Sequence, residues 1–153
     1  MLSLSVHPLL FFLSGIIFIV LRKEVIIMRL NPDCIRDILL VVEEKSSFSN
    51  FVWFEDLKNS NLVEKYDFET IFYHIRQAFE AGLLLDVKRF AGGNFYIKDL
   101  SPKGHEFLAN IRKDNNWSKT KEIANKVGSF SLKTLTTIAS NVVTSSINHY
   151  LGL

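Results

Sequence analysis

Apolar positions along the chain fall into several stretches with helical spacing and one stretch that reads as paired strands. Ile35, Ile38, Leu39 and Val42 recur on one helical face. Ahead of them, "NPDC" supplies Asn31 as a cap, Pro32 at the first helical position and Asp33 at the positive end of the helix dipole, which predicts a first helix to about Lys45. The polar break "SSFSN" follows, and residues 54–59, bounded by "NSN", read as a short second helix. "YDFETIFYHIRQAFEAG" is the clearest helix: Asp67 caps it, Glu69 sits in its first turn, and Gly82 stops it. Its apolar face holds Phe68, Ile71, Phe72, Ile75, Ala78 and Phe79, with Thr70, Tyr73, Arg76 and Gln77 on the other side. "LLLDVKRFAGGNFYIKDL" reads as two strands around Gly92-Gly93, a hairpin. Ser101-Pro102 opens a fourth helix carrying Phe107, Leu108 and Ile111, and Asn115 or Asn116 caps a fifth with Trp117, Thr120, Ala124 and Val127, stopped at Gly128. A last helix from about Ser131 places Leu135, Ile138, Ala139, Val142 and Ile147 on one face and Ser, Thr and Asn opposite.

This order predicts a mainly α protein with a β-hairpin (α+β): a winged helix-turn-helix domain over 28–114, followed by a helical extension over 115–153. In such a fold the third helix is the reader and the hairpin is the wing. Three stretches, "MRLNPDCIRDILL", "IFYHIRQAFEAGLL" and "DLSPKGHEFLANIRKDNNWSK", resemble an uncharacterised bacterial and phage family, the domain-of-unknown-function family numbered 2513. The likeness runs from residue 28 to about 145. It implies a small winged-helix protein of bacteria, their prophages and phages, and it carries no activity or catalytic residue to transfer.

The N-terminal residues change the picture of where the protein resides. Residues 9–21, "LLFFLSGIIFIVL", are an apolar run shorter than the roughly 20 residues a spanning helix needs. No Lys or Arg precedes it and no small-x-small cleavage motif follows, so it is a poor secretory signal. "RKEV" can be encoded by AGA-AAG-GAG-GTN, which contains a purine-rich ribosome-binding core set two Ile codons before Met28. Residues 1–27 are therefore expected to be an untranslated leader and the protein cytoplasmic. The competing expectation is a membrane anchor over residues 9–21 with the domain in the cytoplasm.

Composition is that of an ordinary globular chain of 153 residues, 48% hydrophobic and 22% charged. Its net charge of +2 is too small to argue for a polyanion, but the charge is unevenly spread. Residues 28–84 hold six basic against ten acidic side chains, a net of −4, and residues 85–153 hold ten against five, a net of +5. A polyanion would thus meet the second half. Cys34 is the single cysteine, expected to be small, buried and reduced. His7, His74, His105 and His149 are isolated, which argues against a metal site, with His74 and His105 expected to be hydrogen-bonded or partly solvated. Gly92-Gly93 lacks the setting of a phosphate loop, and Glu43-Glu44 and Glu55-Asp56 diverge as neighbours on a helix. The chain is therefore expected to be a non-enzyme without cofactor or small-molecule substrate.

Double-stranded DNA is the expected partner. Thr70, Tyr73, Arg76 and Gln77 form the candidate reader, since Arg suits guanine and Gln suits adenine in the major groove. Lys88, Arg89, Lys98 and Lys103 are the candidate wing and phosphate contacts. Against this, Asp67, Glu69 and Glu80 outnumber Arg76 on the reader, and Arg112, Lys113, Lys119 and Lys121 are equally an ordinary solvated surface. The alternative is a protein-interaction module that forms a homodimer through the last helix, whose long apolar stripe and nearly uncharged back suit burial on more than one side.

Overall fold

A computed structural model of the protein describes residues 28–153, so the expectations for residues 1–27 lie outside the described residues. Helix α1, Pro32–Lys45, begins as expected: the Asn31 side chain accepts from the backbone N–H groups of Asp33 and Cys34 at 3.0 and 3.3 Å. That satisfies two of the donors that a helix start leaves open. Cys34, Ile35, Ile38, Leu39 and Val42 face inward, and burial pushes the Cys34 thiol up to about 12. Strand β1, Val52–Trp53, runs directly into α2, Phe54–Lys58, where the Asp56 carboxylate accepts from the Trp53 N–H. A further short helix, α3, Leu62–Lys65, precedes α4, Phe68–Glu80. The sequence reading contained neither β1 nor α3, because two to four residues are too few to display a period.

Helix α4 is capped by Asp67, which accepts from the Thr70 N–H at 2.7 Å. Strands β2, Leu84–Arg89, and β3, Phe95–Leu100, form the expected hairpin, with Gly92 and Gly93 both at positive φ in its tip. Strand β1 adds to the outer edge of β3, giving an antiparallel sheet in the order β1-β3-β2. Val52 and Val87 both pair with Ile97, so the fully buried Ile97 lies between two β-branched neighbours on the inner face of the sheet.

Helix α5, Pro102–Ile111, starts from Ser101, whose hydroxyl accepts from Gly104 N–H and donates to the Gly82 carbonyl. The backbone N–H of Ser101 donates to the Leu83 carbonyl, so the start of α5 is pinned to the turn that ends α4. Helix α6, Asp114–Val127, follows after two residues. Neither Asn115 nor Asn116 caps it; both lie in its first turn, and Lys113 holds the cap position. The junction is held instead by a tertiary contact, Arg36 donating to the Arg112 carbonyl at 2.6 Å and to the Asp114 carboxylate at 2.8 Å. Gly128, at φ 77°, ends α6, and α7, Leu132–Leu151, returns alongside it from a Ser131 cap.

The protein is thus mainly α with a small antiparallel sheet, and one hydrophobic cluster joins α1, the sheet, α4, α5, α6 and the first half of α7. Leu135, Ile138, Ala139 and Val142 belong to that cluster, whereas Ile147, expected on the same buried stripe, is half exposed. The reason is length: 20 residues of α7 run against 14 of α6, so the final turns of α7 outrun their neighbour. No helix among the described residues is long and apolar enough to cross a membrane.

Candidate nucleic-acid interface

The inner face of α4 is fixed by Ile71, Ile75 and Ala78 and by His74, which is 1% exposed. His74 Nε2 accepts from the Asn31 backbone N–H at 2.7 Å, so the ring proton sits on Nδ1 and is donated to the Thr70 carbonyl at 2.7 Å. Burial lowers the pKa of His74, outweighing the opposing bond to Thr70, and the ring is neutral. His74 therefore ties the start of α1 to the first turn of α4 and sets the rotation of the helix.

That rotation brings Thr70, Tyr73, Arg76 and Gln77 to the outer flank, as the apolar spacing implies. Arg76 is the exposed member; the other three are half buried. Its guanidinium lies 5.7 Å from the Tyr73 ring centroid and 4.0 Å from Glu80. On the hairpin, Lys88 and Arg89 are exposed and make no ion pair among the described residues. Lys98 is 3.6 Å from Asp86. Lys103 lies apart from the hairpin tip: its ammonium donates to the Ala81 carbonyl at 3.0 Å, at the negative end of α4.

Between α4 and the hairpin lies a cleft of about 150 Å³, walled by Phe72, Ile75, Phe79, Val87 and Phe95, with Arg76 on one side and Arg89 on the other. Aromatic side chains are also exposed on the opposite face of the sheet and at the start of α4. Trp53 stacks on Phe90 at 6.2 Å and meets Tyr96 edge-on at 5.4 Å, while Phe54 and Phe68 extend the cluster along the start of α4. Trp53, Phe68, Phe79 and Phe90 are each between 41% and 47% exposed. The sequence places Phe68 and Phe79 on the apolar face of the helix and does not single out Trp53 or Phe90. Only the β1-β3-β2 order juxtaposes Trp53 with Phe90, so periodicity held no signal for that pair.

The cations of the second half are used differently. Arg112 donates to both carboxylate oxygens of Glu43 at 2.6 and 2.7 Å, and these bonds hold Glu43 below its usual pKa. Lys121 and the Trp117 indole N–H both donate to one oxygen of Asp33, at 2.8 and 2.7 Å. Burial pushes Asp33 up, and the bonds from Lys121 and Trp117 more than offset it. The acidic surplus of the first half and the basic surplus of the second thus meet where α1 crosses α5 and α6, and Arg112 and Lys121 are spoken for within the chain. No group of three or more His, Cys, Asp or Glu side chains among the described residues is arranged to hold a metal ion.

Comparison with known proteins gives two matches. The family model described as "Hypothetical protein (DUF2513)" matches residues 29–131. An uncharacterized protein of Haemophilus influenzae is 29% identical over 126 residues, an alignment that spans 78% of this chain and 99% of that protein. No solved structure matches.

Proposed function

The chain belongs to the DUF2513 family, and from that premise we propose that it is a cytoplasmic winged-helix protein of bacterial or prophage origin that binds duplex DNA as a regulator and catalyses no reaction. The order α1, β1, α2, α3, α4, β2, β3, with β3 central in the sheet, supports reading α4 as the helix that enters the major groove and β2–β3 as the wing. The observation that carries the proposal is the placement of cations beside α4: Lys88 and Arg89 at the end of β2 make no ion pair among the described residues, and Arg89 lines the α4–hairpin cleft opposite Arg76. In this reading Lys88 and Arg89 neutralise phosphates, and Arg76 and Gln77 reach base edges. The acids of α4 weigh less than their number suggests. Asp67 is occupied as a cap, and Glu80 sits beside Arg76, leaving Glu69 as the exposed acid without a partner among the described residues.

The test is fluorescence anisotropy of the protein with duplex DNA from its own genomic neighbourhood and with a random duplex, across a salt series. Specific binding is expected, with log K falling linearly in log salt. Lys88→Ala with Arg89→Ala is expected to reduce that slope by about 2, roughly one per phosphate contact. Arg76→Ala is expected to cost about 1–3 kcal/mol on the specific duplex and less on the random one.

A second reading, a protein-binding module, is favoured by the exposed aromatic side chains Trp53 and Phe90, which stack on each other, and Phe68 and Phe79 on α4. Absence of binding to either duplex at low salt would select it.

A further inference from the structure

The cleft between α4 and the hairpin combines two chemistries that seldom share so small a space. Its walls are the rings of Phe72, Phe79 and Phe95 and the aliphatic side chains of Ile75 and Val87, and its remaining lining is the two guanidinium side chains of Arg76 and Arg89. No acid among the described residues lines it. We propose that this cleft binds a small aromatic carboxylate, with the ring among the phenylalanines and the carboxylate held by Arg76 and Arg89.

Size, wall chemistry and charge each narrow the ligand. The cleft measures about 150 Å³, and an apolar cavity of about 150 Å³ holds a single benzene ring. Ile75 and Phe95 are buried in the core, so the floor is formed before any ligand arrives. Phe72 and Phe95 stand at right angles with centroids 5.4 Å apart. A guest ring lying flat on one therefore meets the other edge-on, and aromatic pairs favour both arrangements. The charge is positive and poorly answered. Arg89 makes no ion pair among the described residues. Arg76 lies beside the Tyr73 ring and 4.0 Å from Glu80, a pair in which both side chains are more than half exposed and which therefore holds it weakly. A carboxylate offers both guanidiniums charge-assisted hydrogen bonds and separates their like charges. A neutral ring would leave the arginines unanswered, and an inorganic anion would leave the apolar walls in water.

The inference goes beyond DNA recognition and takes no premise from it. Its test contains no DNA, so its outcome and that of the duplex titration are read separately. Amide and methyl NMR shifts of the full chain are followed as benzoate is added into the millimolar range, with acetate, benzyl alcohol and hexanoate in parallel titrations. The same series is run on the double variant Arg76→Gln with Arg89→Gln. Both arginines are exposed, so the variant is expected to keep the fold, which its own spectrum verifies. Benzoate is expected to give saturable shifts at Ile75, Val87 and Phe95. Acetate, which lacks the ring, and benzyl alcohol, which lacks the charge, are expected to bind more weakly by about tenfold or more. The double variant is expected to weaken benzoate binding by about ten- to a hundredfold, as loss of hydrogen bonds to a charged group implies. The proposal is overturned by benzoate giving no saturable shifts at these residues, by acetate or benzyl alcohol matching it, or by unchanged affinity in the variant. Tighter binding of the aliphatic hexanoate than of benzoate overturns it as well.

Discussion

Two residues of α4 and α5 carry more of the architecture than their size suggests. Gly104 lies inside α5 where the helix start is pressed on the turn after α4, and a Cβ built on it falls 2.0 Å from the Leu83 carbonyl oxygen. That oxygen already accepts from Ser101 N–H, so it cannot move aside without releasing the α5 start. Gly104→Ala, which elsewhere in a helix would stabilise, is expected here to lower stability by about 1–3 kcal/mol, read as a fall in melting temperature. His74 gives a pH signature. Its pKa is lowered by burial from an ordinary 6.5, so the unfolded chain binds the proton first as the pH falls. Its contribution is complete above pH 6.5 and is lost as the pH drops through 6.5 toward the folded-state value. Chemical denaturation between pH 8 and pH 5 is expected to show this decline, and His74→Gln is expected to flatten it in that window. The apolar pattern placed His74 only as a hydrogen-bonded or partly solvated residue. Its role needs Asn31, 43 positions away, and no local pattern carries that pairing.

Elements whose starts depend on neighbours in sequence were legible. Asn31-Pro32, Asp67, Ser101-Pro102 and Ser131 each cap a helix within three residues, and each sits where the sequence implies. The beginning of α6 was not legible, because Arg36 of α1 holds the α5–α6 junction and displaces the cap from Asn115 or Asn116 to Lys113. Strand β1 likewise exists only through β3. The charge sums per half place a polyanion, if one is bound, on the second half, yet two of its ten bases, Arg112 and Lys121, serve to clamp α1 against α5 and α6. The Glu43–Arg112 pair is bidentate but partly exposed, with side chains 32% and 49% accessible. A double-mutant cycle of Glu43→Ala and Arg112→Ala is expected to give a coupling of about 0.2–1 kcal/mol that shrinks as salt is raised. Of the candidate contacts, Arg76 and Arg89 line one cleft, Lys88 alternates to the other face of β2, and Lys103 is drawn to the Ala81 carbonyl. The separation of Lys103 follows from the pinning of α5 to the turn after α4, a contact invisible in one dimension.

At the scale of the molecule, one hydrophobic cluster spans residues on both sides of position 114. Leu135 and Ala139 of α7 are fully buried in the same cluster as Leu39 of α1 and Leu108 of α5. A chain ending at Gly128 forfeits the burial of Leu135, Ile138, Ala139 and Val142, on the order of 5 kcal/mol of transfer free energy. It is expected to unfold at much lower denaturant concentration and to bind a hydrophobic dye. The whole molecule also carries its own clock. Cys34 is the single thiol of the chain, lies fully buried on the core face of α1, and ionises only far above neutral pH. A thiol reagent therefore waits for α1 to separate from α4 and α5 before it reacts, and every modification event counts one such opening. At reagent concentrations where labelling outpaces reclosing, the labelling rate reads how often the core opens, and at lower concentrations it reads the opening equilibrium, with no second site to subtract.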